Sequence, residues 1–480
     1  MKFSYYLNKT NTFAEVYGTK NNLVKISLIE DLSLYDLILF ENNSFSYVFE
    51  INEDFALCVL LDQKTPNIKS KAVKIGDFLS VKMPKDILGK IIDPLGRDLK
   101  TGEFFDKTIE LKIDVDPPVI SERQVLKQPL HSGVLITDFI IPLAKGQREL
   151  IIGGKKTGKT TFTKMLSLSH KESNEVLIYC LIGKRNKELN DLILFLKNNK
   201  ILEKSVIIAS LASDSPGLIN IAPFTALTIA EYFKNNGKDS IVFLDDLSIH
   251  SKSYRELSLF ANRPPGRESY PGDIFYIHAK LLERAGNFIV LNKEVSITCF
   301  PIVETFEDDV TGFISTNLMS ITDGHIFFDT KLYSEGKRPA INPYLSVTRV
   351  GKQIQTPLKR EITMRLLSLI THYERAKNMA HLSTELSPET QKLITIGKFL
   401  DKLFQQFMSK IFSEIEEIII AGLIFYKIEK NDELELEIIN NQCNKIKQNI
   451  TKTEIQKLLS VQTIDQLTEV IKNLIKQCQN

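Results

Sequence analysis

At 480 residues the chain is too long for one ordinary hydrophobic core, so two or three domains are expected. Hydrophobic residues make up 43% and charged residues 25%, which excludes a disordered or fibrous chain. A formal net charge of +2, from 61 basic and 59 acidic side chains, argues against a surface dominated by nucleic-acid contacts.

The opening residues, Met1-Lys2-Phe3-Ser4-Tyr5-Tyr6, are not followed by the apolar stretch of a signal peptide. Short β-like runs at 23–28, 45–51 and 55–61, with little helical periodicity, predict a small β-barrel or sandwich over residues 1–79. A turn-rich joint follows at Asp93-Pro94-Leu95-Gly96-Arg97. Over residues 80–355, apolar strands at 150–152, 176–182, 206–209, 241–244 and 296–303 alternate with helical patterns, the signature of a doubly wound, mostly parallel sheet. Arg263-Pro264-Pro265-Gly266-Arg267-Glu268 is a breaker cluster and is expected to be a loop. From 356 to 480 the pattern is helical, and Ile464, Leu467, Val470, Ile471, Leu474 and Ile475 fall on one face as helix core. The apolar run 418–425 is too short to span a bilayer. The expected location is the cytoplasm, or the cytoplasmic face of the membrane through partners. The five cysteines (Cys58, Cys180, Cys299, Cys443 and Cys478) lack metal-ligand spacing and fit a reducing compartment.

The chemistry is concentrated in Gly153-Gly154-Lys155-Lys156-Thr157-Gly158-Lys159-Thr160, which reads G-x-x-x-x-G-K-T between an apolar strand and a helical pattern. Glycines let backbone amides approach phosphate oxygens, and the following helix offers its N-terminal dipole to the same anion. Lys159 can reach the outer phosphates of ATP or ADP, and the Thr160 hydroxyl can ligate Mg²⁺. A second apolar strand ends in Asp245-Asp246. Asp245 is the expected carboxylate for Mg²⁺, directly or through water.

Several runs resemble the alpha subunit of F-type rotary ATPases. They are Gly146-Gln147-Arg148-Glu149-Leu150-Ile151-Ile152 leading into the loop, Arg263 to Asp273, Ser320-Ile321-Thr322-Asp323-Gly324, Arg338-Pro339-Ala340-Ile341-Asn342 and Ser346-Val347-Thr348-Arg349-Val350-Gly351. The match covers about residues 85 to 400 in order and approximate spacing. It implies an N-terminal β-barrel, a RecA-like phosphate-loop domain with a mostly parallel sheet, and a C-terminal helical bundle, an α/β architecture. It also implies a ring of three alpha and three beta chains around a central shaft. In such a ring alpha holds nucleotide and a beta-type partner hydrolyses it.

By the same resemblance Arg349 is an arginine finger acting in trans on the neighbouring beta site. Arg338, Pro339 and Gln406 correspond to adenine-side contacts. In beta subunits a catalytic Glu follows the glycine that ends the strand after the phosphate-loop helix. Here Lys184 follows Gly183, and an ammonium cannot accept a proton from water. Glu188 lies a few residues on, where a helical turn would aim it elsewhere. The chain's own site is therefore expected to be non-catalytic.

Lys156 stands where alpha chains usually have Gln, and Gly154 where they have Asp. The start, close to the predicted barrel, is shorter than usual for the family and is similar to alpha-type chains of mycoplasma F-type-like ATPases, some associated with gliding. The expectation is a hydrolysing motor. The alternatives are an ATP synthase proper and, more remotely, a self-sufficient hexameric ATPase acting on nucleic acid or secreted protein.

Overall fold

The computed structural model describes residues 3–306, 308–380 and 387–478. Its contacts divide into two units: residues 1–125, 146–152 and 173–322 form the first, and residues 126–145, 153–172 and 323–480 the second.

The first unit begins with a helix, Phe3–Thr10, that the sequence pattern did not predict. Phe3, Tyr6 and Leu7 form its covered face, a spacing too short over eight residues to stand out in the sequence. A closed barrel follows, in the order Ala14–Lys20, Leu23–Ile26, Ala56–Leu60, Phe45–Ile51, Leu37–Phe40 and Lys71–Gly76, the last pairing back to the first. The three runs expected to be strands are all in it. Its interior is filled by Val16, Val24, Ile26, Ile38, Phe40, Val48 and Leu60, each fully buried. Full burial of such a side chain contributes about 1.5–3 kcal/mol. The closed sheet leaves no unpaired edge.

Also in this unit is a parallel sheet in the order Glu149–Gly153, Lys293–Glu304, Ser240–Asp245, Val176–Lys184, Ser205–Leu211 and Ile91–Ile92. Its strands are almost wholly buried, which explains their continuous apolar runs. Cys180 and Cys299 are core residues, at 1% and 0% exposure. Helix Pro216–Asn235 covers the sheet. It starts where the Ser215 side chain accepts from the Leu218 amide and Pro216 occupies the first turn. The segment Arg263–Gly266 is a loop, and Arg267–Ser269 closes it as one 3₁₀ turn. Arg263 anchors the loop through Glu50 and Asp273, at 3.5 and 3.4 Å.

The second unit carries the helix Lys159–Ser169, the antiparallel pair Gly324–Phe328 and Val347–Thr348, and the C-terminal helices. The helix boundaries are written in the sequence. Ser413 with Glu416 and Thr451 with Glu454 form capping boxes, and Asn431 ends helix Glu414–Lys430 in the left-handed conformation. The run 418–425 is the buried middle of that helix. Gly422 lets helix Ile464–Gln477 approach, because a Cβ there would lie 2.5 Å from Ile471. Ile464, Leu467, Val470, Ile471 and Leu474 are buried on that approaching face, and Ile475 is half-buried beside them. Among the described residues no helix is long and apolar enough to cross a membrane.

Candidate nucleotide site

The loop from Gly153 to Gly158 joins strand Glu149–Gly153 to helix Lys159–Ser169. Gly153 has to be glycine: a Cβ there would meet the Phe328 carbonyl oxygen at 2.1 Å. Gly158 turns into the helix at φ 105°, a left-handed value that side chains disfavour. The Thr157 hydroxyl donates to the Gly154 oxygen at 2.8 Å and pins the turn from inside. Phe162 stacks edge-on against Phe328 beneath it, with ring centres 5.8 Å apart. No side chain caps the first helical turn. Its amides, with the helix dipole, make a cradle suited to an anion.

The Lys159 ammonium folds back over this loop, donating to the Gly153 and Gly154 oxygens at 2.8 and 2.5 Å. Lys155, Lys156 and Thr160 are exposed around it. A cationic side chain, a glycine cradle and a hydroxyl at the helix start fit a phosphate group and its Mg²⁺.

In the first unit, strands Val176–Lys184 and Ser240–Asp245 lie side by side, pairing as far as Leu181 opposite Asp245, and the first runs on to Lys184. Lys184 Nζ is 2.7 Å from Asp245 Oδ1 and 3.3 Å from Asp246 Oδ2. Burial works against the ammonium, but the Asp245 and Asp246 carboxylates outweigh it and hold the Lys184 pKa above its ordinary value. Asp246 also caps helix Leu247–Phe260, accepting from the Ile249 amide through its other oxygen. Glu188 is exposed and points back to the Arg185 amide, accepting from it through Oε2 at 3.0 Å.

Arg338 and Pro339 border a cavity of about 230 Å³ in the second unit, shared with Asp329, Tyr344, Tyr373 and Phe404. The Arg338 guanidinium lies 3.5 Å from the Tyr333 ring centre and donates to the Tyr333 and Lys337 oxygens. Gln406 lies two residues after Phe404 and is held by backbone. Its amide is 4% exposed, accepts from the Leu135 amide and donates to the Gly133 and Lys410 oxygens at 3.0, 2.6 and 2.7 Å. Its neighbour Gln405 lines the cavity instead. Alternate residues on an irregular segment face opposite ways, and no periodic signal fixed the phase.

Arg349 is exposed on a tightly held turn. Its amide donates to the Asp323 oxygen at 3.1 Å, bringing two of the family motifs together. Thr348 Oγ1 donates to the Pro142 oxygen at 3.1 Å and accepts from the Gly351 amide at 3.0 Å. A Cβ on Gly351 would lie 1.6 Å from that same Pro142 oxygen.

Sequence reasoning missed Phe328, which backs the loop, because its nearness comes from distant chain. It also missed the pairing of Asp246 with Lys184, although the doubled carboxylate was visible.

Residues 133–348 match the family model described as ATP synthase alpha/beta family, nucleotide-binding domain. The chain is 36% identical to the ATP synthase subunit alpha of Carsonella ruddii over 419 residues, covering 84% of this chain and 86% of that protein. It is 32% identical to that of Acholeplasma laidlawii over 463 residues, 95% and 91% of the two chains. With the subunit alpha of Clostridium botulinum it shares 35% identity over 413 residues, 86% and 82%. With the loop, the barrel, the parallel sheet and the C-terminal helices in family order, the chain belongs to the alpha subunit family of the F-type ATP synthases, a family of nucleotide-binding subunits.

Proposed function

We propose that this chain is a non-catalytic alpha-type subunit of a rotary F-type ATPase ring that holds Mg-ATP or Mg-ADP and supplies Arg349 to a neighbouring beta-type catalytic site. The reading divides the chain into a barrel (1–79), a nucleotide domain (80–355) and a helical bundle (356–480). The observation that carries it is Lys184. Where hydrolysis needs a carboxylate to position water, the chain has an ammonium bound to Asp245 and Asp246.

In this reading the amides of 153–158 and the Lys159 ammonium bind the phosphates, and Thr160 is the Mg²⁺ ligand. The ion, when bound, neutralises phosphate charge. Arg338, Pro339 and Gln406 are the adenine-side residues, Gln406 through the backbone it holds at Gly133, Leu135 and Lys410. Arg349 has the exposure and the rigid anchorage that a finger acting on another subunit requires. The ring of three alpha and three beta chains around a central shaft sits in the cytoplasm or at the cytoplasmic face of the membrane.

The test is an ATPase assay of the purified chain with and without a beta-type partner that carries a complete loop and a catalytic Glu. The expected result is Mg-ATP binding with negligible turnover alone, and turnover on assembly. Robust hydrolysis by the chain alone would overturn the reading.

The direction of use is proposed as hydrolysis driving a motor, with gliding as the associated machine; this rests on the sequence resemblance. A second reading, ATP synthesis, is favoured by the names of the relatives. ATP formation by the native complex in membrane vesicles under an imposed ion gradient would decide for synthesis.

A further inference from the structure

Outside the nucleotide site, three ionisable side chains of the second unit converge. His131 Nε2 lies 3.0 Å from Glu417 Oε1 and 3.6 Å from Asp138 Oδ2. Ligand-capable atoms of the three lie within 4.8 Å of one another, and no other such group occurs among the described residues. The Glu417 side chain is 1% exposed, in the first turn of helix Glu414–Lys430. The Asp138 carboxylate is held by the Ser132 and Val134 amides at 2.8 and 3.2 Å, one to each oxygen, which leaves lone pairs for a further partner.

The Ser169 hydroxyl lies against both the ring and the backbone carbonyl of His131. The Ser169 hydroxyl donates its one proton to the His131 carbonyl oxygen at 3.1 Å. Its oxygen also lies 3.1 Å from His131 Nδ1, so Nδ1 carries the proton of that contact. In the neutral ring Nε2 is then a lone pair, directed at two carboxylates. Nε2 and Glu417 Oε1 are both buried and, despite their proximity, neither has a hydrogen-bond partner. The nearby Lys359 ammonium is bound to Glu414 at 2.6 Å. Without a metal, the Asp138 and Glu417 carboxylates hold the His131 ring above its ordinary pKa, at about 9 despite burial, so a proton occupies the point the three donors face, and a metal ion can take its place.

We propose that His131, Asp138 and Glu417 bind one divalent transition-metal ion of the zinc class. Two carboxylates balance its charge, and an imidazole selects it over Mg²⁺, which favours all-oxygen sites. Bonds of about 2.0–2.1 Å in a tetrahedral site put ligand atoms about 3.3 Å apart, close to the 3.0 and 3.6 Å between His131 and the two carboxylates. Ser169 plays the outer part of such a site, orienting the ring through its other nitrogen. Because Ser169 is the last residue of helix Lys159–Ser169, the ion would tie the end of that helix and the 131–138 segment to helix Glu414–Lys430. Its role is structural, separate from the nucleotide's ion.

The experiment uses the full-length chain, stripped with a chelator and titrated with Co²⁺ as a visible probe and with Zn²⁺ by calorimetry. The expected result is one saturable site per chain with a d–d absorption band and a higher melting temperature, unchanged in Lys159→Ala. Glu417→Gln and His131→Gln should abolish the band. Ser169→Ala should keep it but weaken affinity by about 10- to 100-fold. A wild-type chain that shows no saturable band, because the cluster holds a proton instead, would overturn the proposal whatever the variants do. So would a thiolate charge-transfer band, which would place the ion on cysteine, or a band retained in both variants.

Discussion

Lys184 Nζ lies 2.7 Å from Asp245 Oδ1, joining the ends of two adjacent parallel strands. One contact has two consequences. It fixes the ammonium at the end of its strand, and it neutralises a pair of carboxylates that burial would otherwise make costly. The side chains of Lys184, Asp245 and Asp246 are 13%, 14% and 5% exposed, so water does little to screen them.

Lys184→Met should therefore destabilise the chain by about 3–5 kcal/mol, since it leaves two buried carboxylates without a counter-ion. Lys184→Glu should be worse, because it adds a third carboxylate. Urea denaturation of the three proteins measures this. A Lys184→Met variant as stable as the wild type would mean that the pair contributes nothing to the fold.

Lys159→Ala should weaken Mg-ATP binding by about 10- to 100-fold, the value of one charge-assisted hydrogen bond to phosphate. The unliganded fold should survive, because the ammonium's bonds to the Gly153 and Gly154 carbonyls stay within its own loop. Calorimetric titration alongside circular dichroism separates the two effects. Undiminished affinity would remove the phosphate-loop assignment.

Arg349→Ala should lower turnover of the assembled complex by about 10³- to 10⁵-fold, with the ring intact and this chain's own nucleotide retained. Arg349→Lys should also be poor, since a point ammonium cannot reproduce the planar fork. Gly351→Ala should reduce turnover through displacement of the same turn, given the 1.6 Å approach to the Pro142 oxygen. Near-normal activity in Arg349→Ala would place the finger elsewhere.

His250 sets an acid limit on the first unit. It is fully buried and its Nε2 lies 3.1 Å from the Asn220 oxygen. Burial pushes its pKa down from 6.5 to about 4, despite that contact. Between those values the unfolded chain binds a proton that the folded chain does not, so stability is complete above about pH 6.5 and falls as pH drops toward 4. The contribution is about 3 kcal/mol. Chemical denaturation across this range should show the loss, and His250→Gln should reduce it, with the equally buried His278 keeping its own share. An unchanged profile in the variant would assign the acid limit to other groups.

The sequence by itself determined the nucleotide loop, the parallel sheet, the helical C-terminal region and the family, because each is written locally. Phosphate binding needs glycines, a lysine and a hydroxyl at fixed spacing along one turn, and buried parallel strands read as unbroken apolar runs. Capping residues such as Ser413 and Thr451 mark helix starts within a few positions. Only the tertiary structure decided which atoms meet across long separations. It turned Gln406 inward to hold backbone and left Gln405 on the cavity, joined Lys184 to both aspartates, and brought His131 against Glu417. Such pairings arise from packing of elements distant in the chain, and no periodicity or local spacing encodes them.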